Sequence, residues 1–356
     1  MACDDELADR LRGLAESADP AERFLVARYL QWIPRTCPDL YWEVMRRRVE
    51  LEGNAVAAAA LLESLARAGT PQEELREPLV VKLIDRWLTT SHRDLTRMVA
   101  RWLEYYAINL NRDWAWSRMR QVAAEVPRSN ELLGDVNFEV INSITPERLT
   151  QNRGQEEVLR AQQWIVEVLR SLASRAAEIR KQISPNGSPE SRATLGGMHD
   201  LVGNIVTRIH FNVRRDSGGE PGRLSELKSL ALYYETVEPI LDAVIAFGSE
   251  EGAGTVVPAG VHYLMQFFNV AVVVDPPGVL AKAASIAVAG GKSGYHLDSL
   301  AIDEVVRLVE IILTDHREVL TGGEPLSDLL RLLDLFADAG WPQALRLVWR
   351  LDEVFR

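Results

Sequence analysis

The sequence predicts an all-α protein, an α-solenoid of degenerate HEAT-like helical hairpins with about fifteen helices in total. Apolar residues recur at spacings of three and four along nearly the whole chain, and no segment alternates in the manner of a strand. A Pro-containing start followed by a carboxylate also opens more than one helix, at unequal intervals. We therefore expect hairpins that stack on their neighbours without a fixed repeat length.

A short, highly charged helix is predicted first, over residues 4–16. Its apolar residues Leu7, Leu11 and Leu14 are spaced four and three apart, so they fall on one face. We expect this helix to cap the array.

The next hairpin is the unit around which the rest of the chain is organised. Asp19 predicts an N-cap and Pro20 a first helical residue. Pro34 and Pro38 then turn the chain into a second helix, which ends at Gly53. A third helix follows, and its small side chains permit close packing: Ala57, Ala58, Ala59 and Ala60.

Helical periodicity continues to the end of the sequence. Further helices are predicted over residues 73–88, 91–110, 111–124, 130–141, 156–183, 193–213, 224–247, 258–274, 277–289, 297–320, 325–339 and 342–355. Two stretches rich in Gly, Pro and Ser, near residues 184–192 and 215–222, predict mobile loops. We divide the chain into helical repeats with a candidate binding face (1–144) and a C-terminal helical region that continues the array (145–356).

Composition narrows the functional classes. The net charge of −11 repels nucleic acid and anionic membranes, although a local basic face remains compatible with it. No run of about 20 uninterrupted apolar residues predicts a membrane span, and the acidic first residues do not resemble a signal peptide. Cys3 and Cys37 are too few for a disulfide framework, which favours a half-buried Cys37 thiol and a cytoplasmic location.

No motif in the sequence predicts a catalytic residue, a metal or a cofactor. The segment AGGKSG at 289–294 lacks the earlier glycine and the preceding strand of a phosphate-binding loop, so it predicts a helix-ending turn. The six histidines do not fall at metal-ligand spacing. They are His92, His199, His210, His262, His296 and His316.

Tryptophan and arginine are concentrated in the first third of the chain. Both residue types anchor protein interfaces and can stack on single-stranded nucleic acid. The alternative is ordinary packing, with tryptophans in the core and arginines on a solvated face. If a binding face exists, we expect it to use Trp32, Trp42, Arg46, Arg47, Trp102, Arg112, Trp114 and Arg118.

Two resemblances bear on function. The pattern over Asp19 to Ala68 resembles HEAT-like repeats, with its Asp-Pro start, the pair Arg23 and Phe24, and Ala27 and Leu30 inside. The segments VGNIVTRIHFNVRR (202–215), KSGYHLDSLAIDEVVRLVEIILTDHREVL (292–320) and LLDLFADAGWPQALRLVWRLDEVFR (332–356) resemble the C-terminal helical region of large bacterial multidomain proteins that join an NTPase or effector module to a repeat array, some of them in antiphage defence.

The second resemblance implies that this chain is an excised or stand-alone repeat region, with the ATP chemistry in a part not present here. The aromatic and arginine clustering on stacked hairpins predicts a non-catalytic scaffold or sensor whose partner is a protein or another domain of a larger chain. A HEAT-like nucleic-acid-binding or base-repair protein is the alternative, and it requires a contiguous basic groove. An enzyme with an unrecognised site is a third possibility, and it requires titratable side chains that converge in one pocket.

Overall fold

The structure is a computed structural model, and it forms two compact units. Unit 1 comprises Met1–Glu125 and Glu131–Val136, and unit 2 comprises Val126–Asn130 and Asn137–Arg356. The structure describes residues 5–68, 72–150, 154–182, 188–216, 224–248, 256–291, 294–297, 299–321 and 323–354.

The described residues form α-helices and short turns, with no strand among them, which confirms the predicted all-α class. The first helices are α1 (Asp5–Ala15), α2 (Pro20–Tyr29), α3 (Pro38–Leu51), α4 (Ala55–Arg67), α5 (Glu73–Trp87), α6 (Arg93–Glu104), α7 (Asp113–Ala124) and α8 (Asn130–Ile141). The next are α9 (Pro146–Thr150), α10 (Gln155–Gln182), α11 (Pro189–Asp216), α12 (Leu224–Gly248), α13 (Pro258–Ala271), α14 (Pro276–Gly291), α15 (Ser299–Asp315), α16 (Glu324–Asp338) and α17 (Pro342–Val354).

Local sequence signals explain where the early helices begin. The Asp19 side chain accepts a hydrogen bond from the backbone N–H of Ala21, and Pro20 is the first residue of α2, as predicted. Asn54 caps α4 in the same way, through the N–H groups of Val56 and Ala57. The Thr-Pro start predicted before α5 falls at 70–71, outside the described residues.

Two predicted helices end earlier than their periodicity suggests. Residues 91–110 contain α6 up to Glu104, followed by a π-helical segment at Tyr105–Asn109. Asn111 has a φ of 52°, in the left-handed region that ends helices, and the N–H of Arg112 then donates to the Tyr106 carbonyl at 2.7 Å. Likewise, α15 gives way to a 3₁₀ turn at Arg317–Leu320.

The helices of unit 1 form two layers, because each helix contacts the next helix but one. One layer contains α1, α3 and α5, and ion pairs connect α5 to α7. The other layer contains α2, α4 and α6. This is the adjacency that stacked hairpins require. The solenoid itself stays a prediction.

Unit 2 repeats the alternation with longer helices. Helices α10, α12, α14 and α16 contact one another in order, and so do α11, α13, α15 and α17. Two of its buried polar side chains bond to backbone carbonyls: Asn212 donates to the carbonyls of Ile141 and Ile144, and the Tyr233 hydroxyl donates to that of Ile209. α11 starts at Pro189 and ends at Asp216, so it takes in the margins of both stretches predicted as loops. The rest of those stretches lies outside the described residues.

Candidate interaction surface

Two of the predicted binding tryptophans lie in the core of unit 1. Trp102 is only 4% exposed, its Nε1 donates to the Leu62 carbonyl at 3.1 Å, and its ring stacks on Tyr106 with centroids 5.6 Å apart. Trp42 is equally buried and donates to the Gln72 side chain. Both indoles therefore have a hydrogen-bonded N–H and a ring packed inside unit 1.

A buried arginine completes the same aromatic cluster. Arg76 pairs with Glu73, and its guanidinium lies 5.3 Å from the ring centroid of Trp102 and 5.5 Å from that of Tyr105. The Tyr106 hydroxyl donates to Glu73 at 2.5 Å. Burial, together with this bond to a carboxylate, raises the pKa of Tyr106, so the phenol stays a donor.

Two predicted residues of α7, Trp114 and Arg118, and the predicted Arg112 at its N-cap all contact α5. Trp114 Nε1 donates to one oxygen of Glu77 at 2.7 Å, and Arg112 approaches the other at 3.3 Å. Arg118 pairs with Asp85 at 2.7 Å. These pairs are partly exposed, so each stabilises the stack by only about 0–1 kcal/mol. Their charges are nonetheless already matched within the unit.

The two predicted arginines of α3 lie on its solvent face. Arg47 pairs with Glu16 at 2.8 Å, and Arg46 is exposed beside it. Together with three neighbours on the same helix they line an open depression; those neighbours are Glu43, Glu50 and Leu51. Because one convex helix supplies the whole lining, the depression does not enclose a ligand.

A buried ion cluster closes the end of α3. Glu52 is 1% exposed and accepts two hydrogen bonds of 3.2 Å from Arg23, one from the buried Arg48 and one of 2.9 Å from the backbone of Asn54. Burial by itself raises the pKa of this carboxyl, but the bonds from Arg23, Asn54 and Arg48 outweigh it, so the pKa lies below its usual range. The cluster is structural, since both arginines and the backbone of Asn54 are held by the one buried carboxylate.

The exposed part of the predicted set leads to a different surface. Trp32, in the turn after α2, is 72% exposed, and the same helix exposes Tyr29 by 59% and Leu25 by 50%. These residues are spaced four and three apart, so they form one stripe. Leu7 and Leu14 of α1 are also exposed, by 52% and 42%. We call these five side chains the end face.

The leucine face of α1 is not the face that it buries. Leu7 and Leu14 face solvent and Leu11 is half-buried. The residues that α1 buries are Ala8 and Ala15. Small side chains allow a close approach to the neighbouring helices, and the leucines are left on the opposite side.

Helix geometry places the leucine stripe of α1 and the stripe of α2 on the same side of this pair of helices. With about 100° per residue, Leu7 and Leu14 lie roughly opposite Arg12 and Glu16, which bond to Glu43 and Arg47 of α3. On α2, Leu25 and Tyr29 lie roughly opposite the buried Ala27, and Gln31 bonds to Arg67 of α4 at 2.6 Å. Both stripes therefore face away from α3 and α4.

The remaining sequence motifs give no sign of catalysis. The predicted helix-ending turn at 289–294 contains the end of α14 at Gly291 and a Gly294 with a φ of 84°, whereas Lys292 and Ser293 lie outside the described residues. No group of three or more His, Cys, Asp or Glu in the described residues could hold a metal ion. Cys37 is half-buried as predicted, but it is disulfide-bonded, so the prediction of a free thiol is wrong.

Comparison with known proteins gives no relative. No family model matches the chain, and neither a curated protein nor a solved structure does. Among the described helices, none combines the length and apolar character needed to cross a membrane.

Sequence reasoning identified Trp32 but missed the four residues that accompany it. The signal was present for α2, because Leu25, Tyr29 and Trp32 form a second apolar stripe beside Phe24, Ala27 and Leu30. A helix with two apolar stripes either lies between two neighbours or exposes one stripe. For α1, no sequence signal distinguished an outward leucine stripe from an inward one.

Proposed function

We propose that this chain is a non-catalytic helical-repeat scaffold or sensor that binds another protein, or another domain of a larger chain, through the end face. The observation that carries the proposal is the grouping of five large exposed apolar side chains on α1 and α2. Isolated exposed apolar residues are ordinary, but a contiguous patch on a soluble protein marks an interaction site.

The residue types on the end face suit a protein partner. Trp32 and Tyr29 supply large, rigid contact areas, which is why such residues dominate binding energies at interfaces. Stacked-helix proteins also need a polar outer face on their terminal units to stay soluble alone. An apolar end is the reverse of that arrangement, so contact with a further helical surface would stabilise it.

Nucleic acid is the weaker alternative. A phosphate-binding surface needs unpaired cations, whereas Arg47, Arg112 and Arg118 each pair with a carboxylate. The overall charge of −11 adds to the repulsion. Acid–base catalysis likewise finds no support in the buried Glu52 or the half-buried Glu73, because both carboxylates pair with arginines.

A photo-cross-linking amino acid placed at Tyr29 tests the proposal, with a matched probe at the exposed Trp349 of unit 2. We expect cross-links to a defined protein from position 29 only, identified by mass spectrometry. Titration of that purified partner should then show about tenfold or greater loss of affinity for Trp32→Ala. Equal cross-linking from both positions, or an unchanged affinity, would contradict an interface at the end face.

A further inference from the structure

We infer that the occupant of the end face is the same face of a second copy of this chain, so that the protein forms a two-fold symmetric dimer. The inference rests on the proposed function and names the partner for the same surface. In a two-fold contact each residue patch meets its own copy, so the patch has to be compatible with itself in shape and in charge.

The apolar part of the end face meets that requirement. Leu7 and Leu14 form one ridge and Leu25 and Tyr29 another, on two helices that pack side by side. Ridges on two neighbouring helices can accept the ridges of a second copy, as in ordinary helix packing. Trp32 lies at the end of the α2 stripe, so in a two-fold arrangement the two indoles flank the contact.

The charges at the border of the end face are also compatible with a two-fold contact. The exposed charged side chains that share a side of the helix with the two stripes include Glu6 and Arg10 on α1, and Glu22 and Arg28 on α2. Each helix thus contributes one acid and one base, and Glu6 already pairs with Arg10 at 2.7 Å. A face with balanced charge does not repel its own copy, whereas a partner selected by charge would leave one sign in excess.

The size of the end face predicts a weak dimer. At 1.5 Å per residue, α1 and the stretch from α2 through Trp32 are roughly 16–20 Å long, and each helix is about 10 Å wide. The projected footprint is therefore on the order of 300–400 Å² on each copy, or roughly 600–800 Å² for the pair, and the accessible area somewhat more, which is below the size of a standard stable interface. We expect a dissociation constant on the order of 1–100 μM.

Sedimentation velocity of the full chain over about 1–200 μM tests the inference. The weight-average mass should rise from 39.9 kDa towards twice that value. Tyr29→Glu and Trp32→Glu should each hold it at the monomer value, because a carboxylate would be buried against its own copy. Trp349→Glu is the matched control, since Trp349 is the exposed tryptophan of α17, and it should dimerise like the unaltered chain.

The outcomes separate this inference from the proposed function. A monomer throughout the concentration range overturns the dimer, and so does a dimer that survives both end-face substitutions or is lost with Trp349→Glu. If the chain is monomeric but the probe at position 29 still captures a different protein, the proposed function stands without the second copy. Circular dichroism melting curves show whether each variant is folded, and Tyr29→Ala and Trp32→Ala replace any variant that is not.

Discussion

The middle helices of unit 1 and its first hairpin use aromatic residues in opposite ways. Around α6, Trp102 and Tyr106 are buried and stack on each other beside Arg76. At the end face, Trp32 and Tyr29 project from α2 into solvent. The same residue types hold one region together and leave the other open to association.

The difference shows that enrichment in tryptophan and arginine does not locate a binding surface. In the region enriched in tryptophan and arginine, the buried indoles face a second layer of helices. The arginines there pair with carboxylates on neighbouring helices. Among the described residues, helices α1 and α2 have neighbouring helices on one side only. Exposure of aromatic residues therefore follows from the position of a hairpin in the stack.

The largest effect that tests this comparison is expected from Trp102→Ala. Removing a buried indole leaves a cavity and removes the hydrogen bond to the Leu62 carbonyl, so the free energy of unfolding should fall by about 4 kcal/mol. Urea unfolding followed by tryptophan fluorescence measures it, because six of the nine tryptophans lie between positions 32 and 116. Trp102→Phe keeps most of the volume and should cost less. A loss below about 1 kcal/mol for the alanine variant would mean that the cluster is not a core.

The buried Glu52 gives the next largest effect. Glu52→Gln keeps the size of the side chain but leaves the cations of Arg23 and Arg48 without a counter-ion, so we expect a loss of about 3 kcal/mol at pH 7. The exposed Glu50 pairs with Lys82 at the surface, and Glu50→Gln, the matched control, should leave the unfolding curve unchanged. Equal effects of the two substitutions would contradict a specific role for the cluster.

The same carboxyl predicts a pH dependence. Since the folded-state pKa of Glu52 is lowered from 4.5, its contribution is fully present above pH 4.5 and is lost as the pH falls through the lower folded value. The free energy of unfolding should therefore decrease in acid, more steeply for the unaltered chain than for Glu52→Gln. Urea titrations at intervals between pH 7 and pH 3 measure the two slopes, and parallel curves would count against this assignment.

Sequence patterns predicted the helices well because helix starts and periodicity are local signals. Asp19 and Pro20 fixed the start of α2, and α8 was predicted at its observed bounds, Asn130–Ile141. The π-helical segment at Tyr105–Asn109 was missed, since it depends on how one turn meets its neighbours. Residues 91–110 keep their helical periodicity through it.

The candidate site was harder to predict because exposure is a property of the assembled helices. Trp42 and Trp102 are buried by contacts with residues about 30 and 40 positions away, Gln72 and Leu62. Conversely, Leu7 and Leu14 have the spacing of a buried stripe but lie on the side of α1 that no described helix covers. Spacing identifies a face of a helix, and only the neighbours decide what that face meets.

A smaller effect is expected from the ion pairs between α5 and α7. Arg118→Ala removes the partner of Asp85 in a pair that solvent reaches from both sides, so the free energy of unfolding should fall by less than about 1 kcal/mol. The difference from the unaltered chain should shrink further in 1 M salt, which screens exposed charges. Urea titrations at low and high salt measure both. A loss near that of Glu52→Gln would place this pair in the core.

The smallest effect on stability is expected where the effect on association is largest. Trp32→Ala removes an indole that is 72% exposed, so the free energy of unfolding should change by no more than about 0.5 kcal/mol. The same substitution should abolish self-association in the sedimentation experiment, because the end face loses its largest contact. Trp102→Ala should show the reverse pattern at temperatures where it remains folded. If Trp32→Ala proved as destabilising as Trp102→Ala, the end face would be part of the core of unit 1 and no longer a surface kept for a partner.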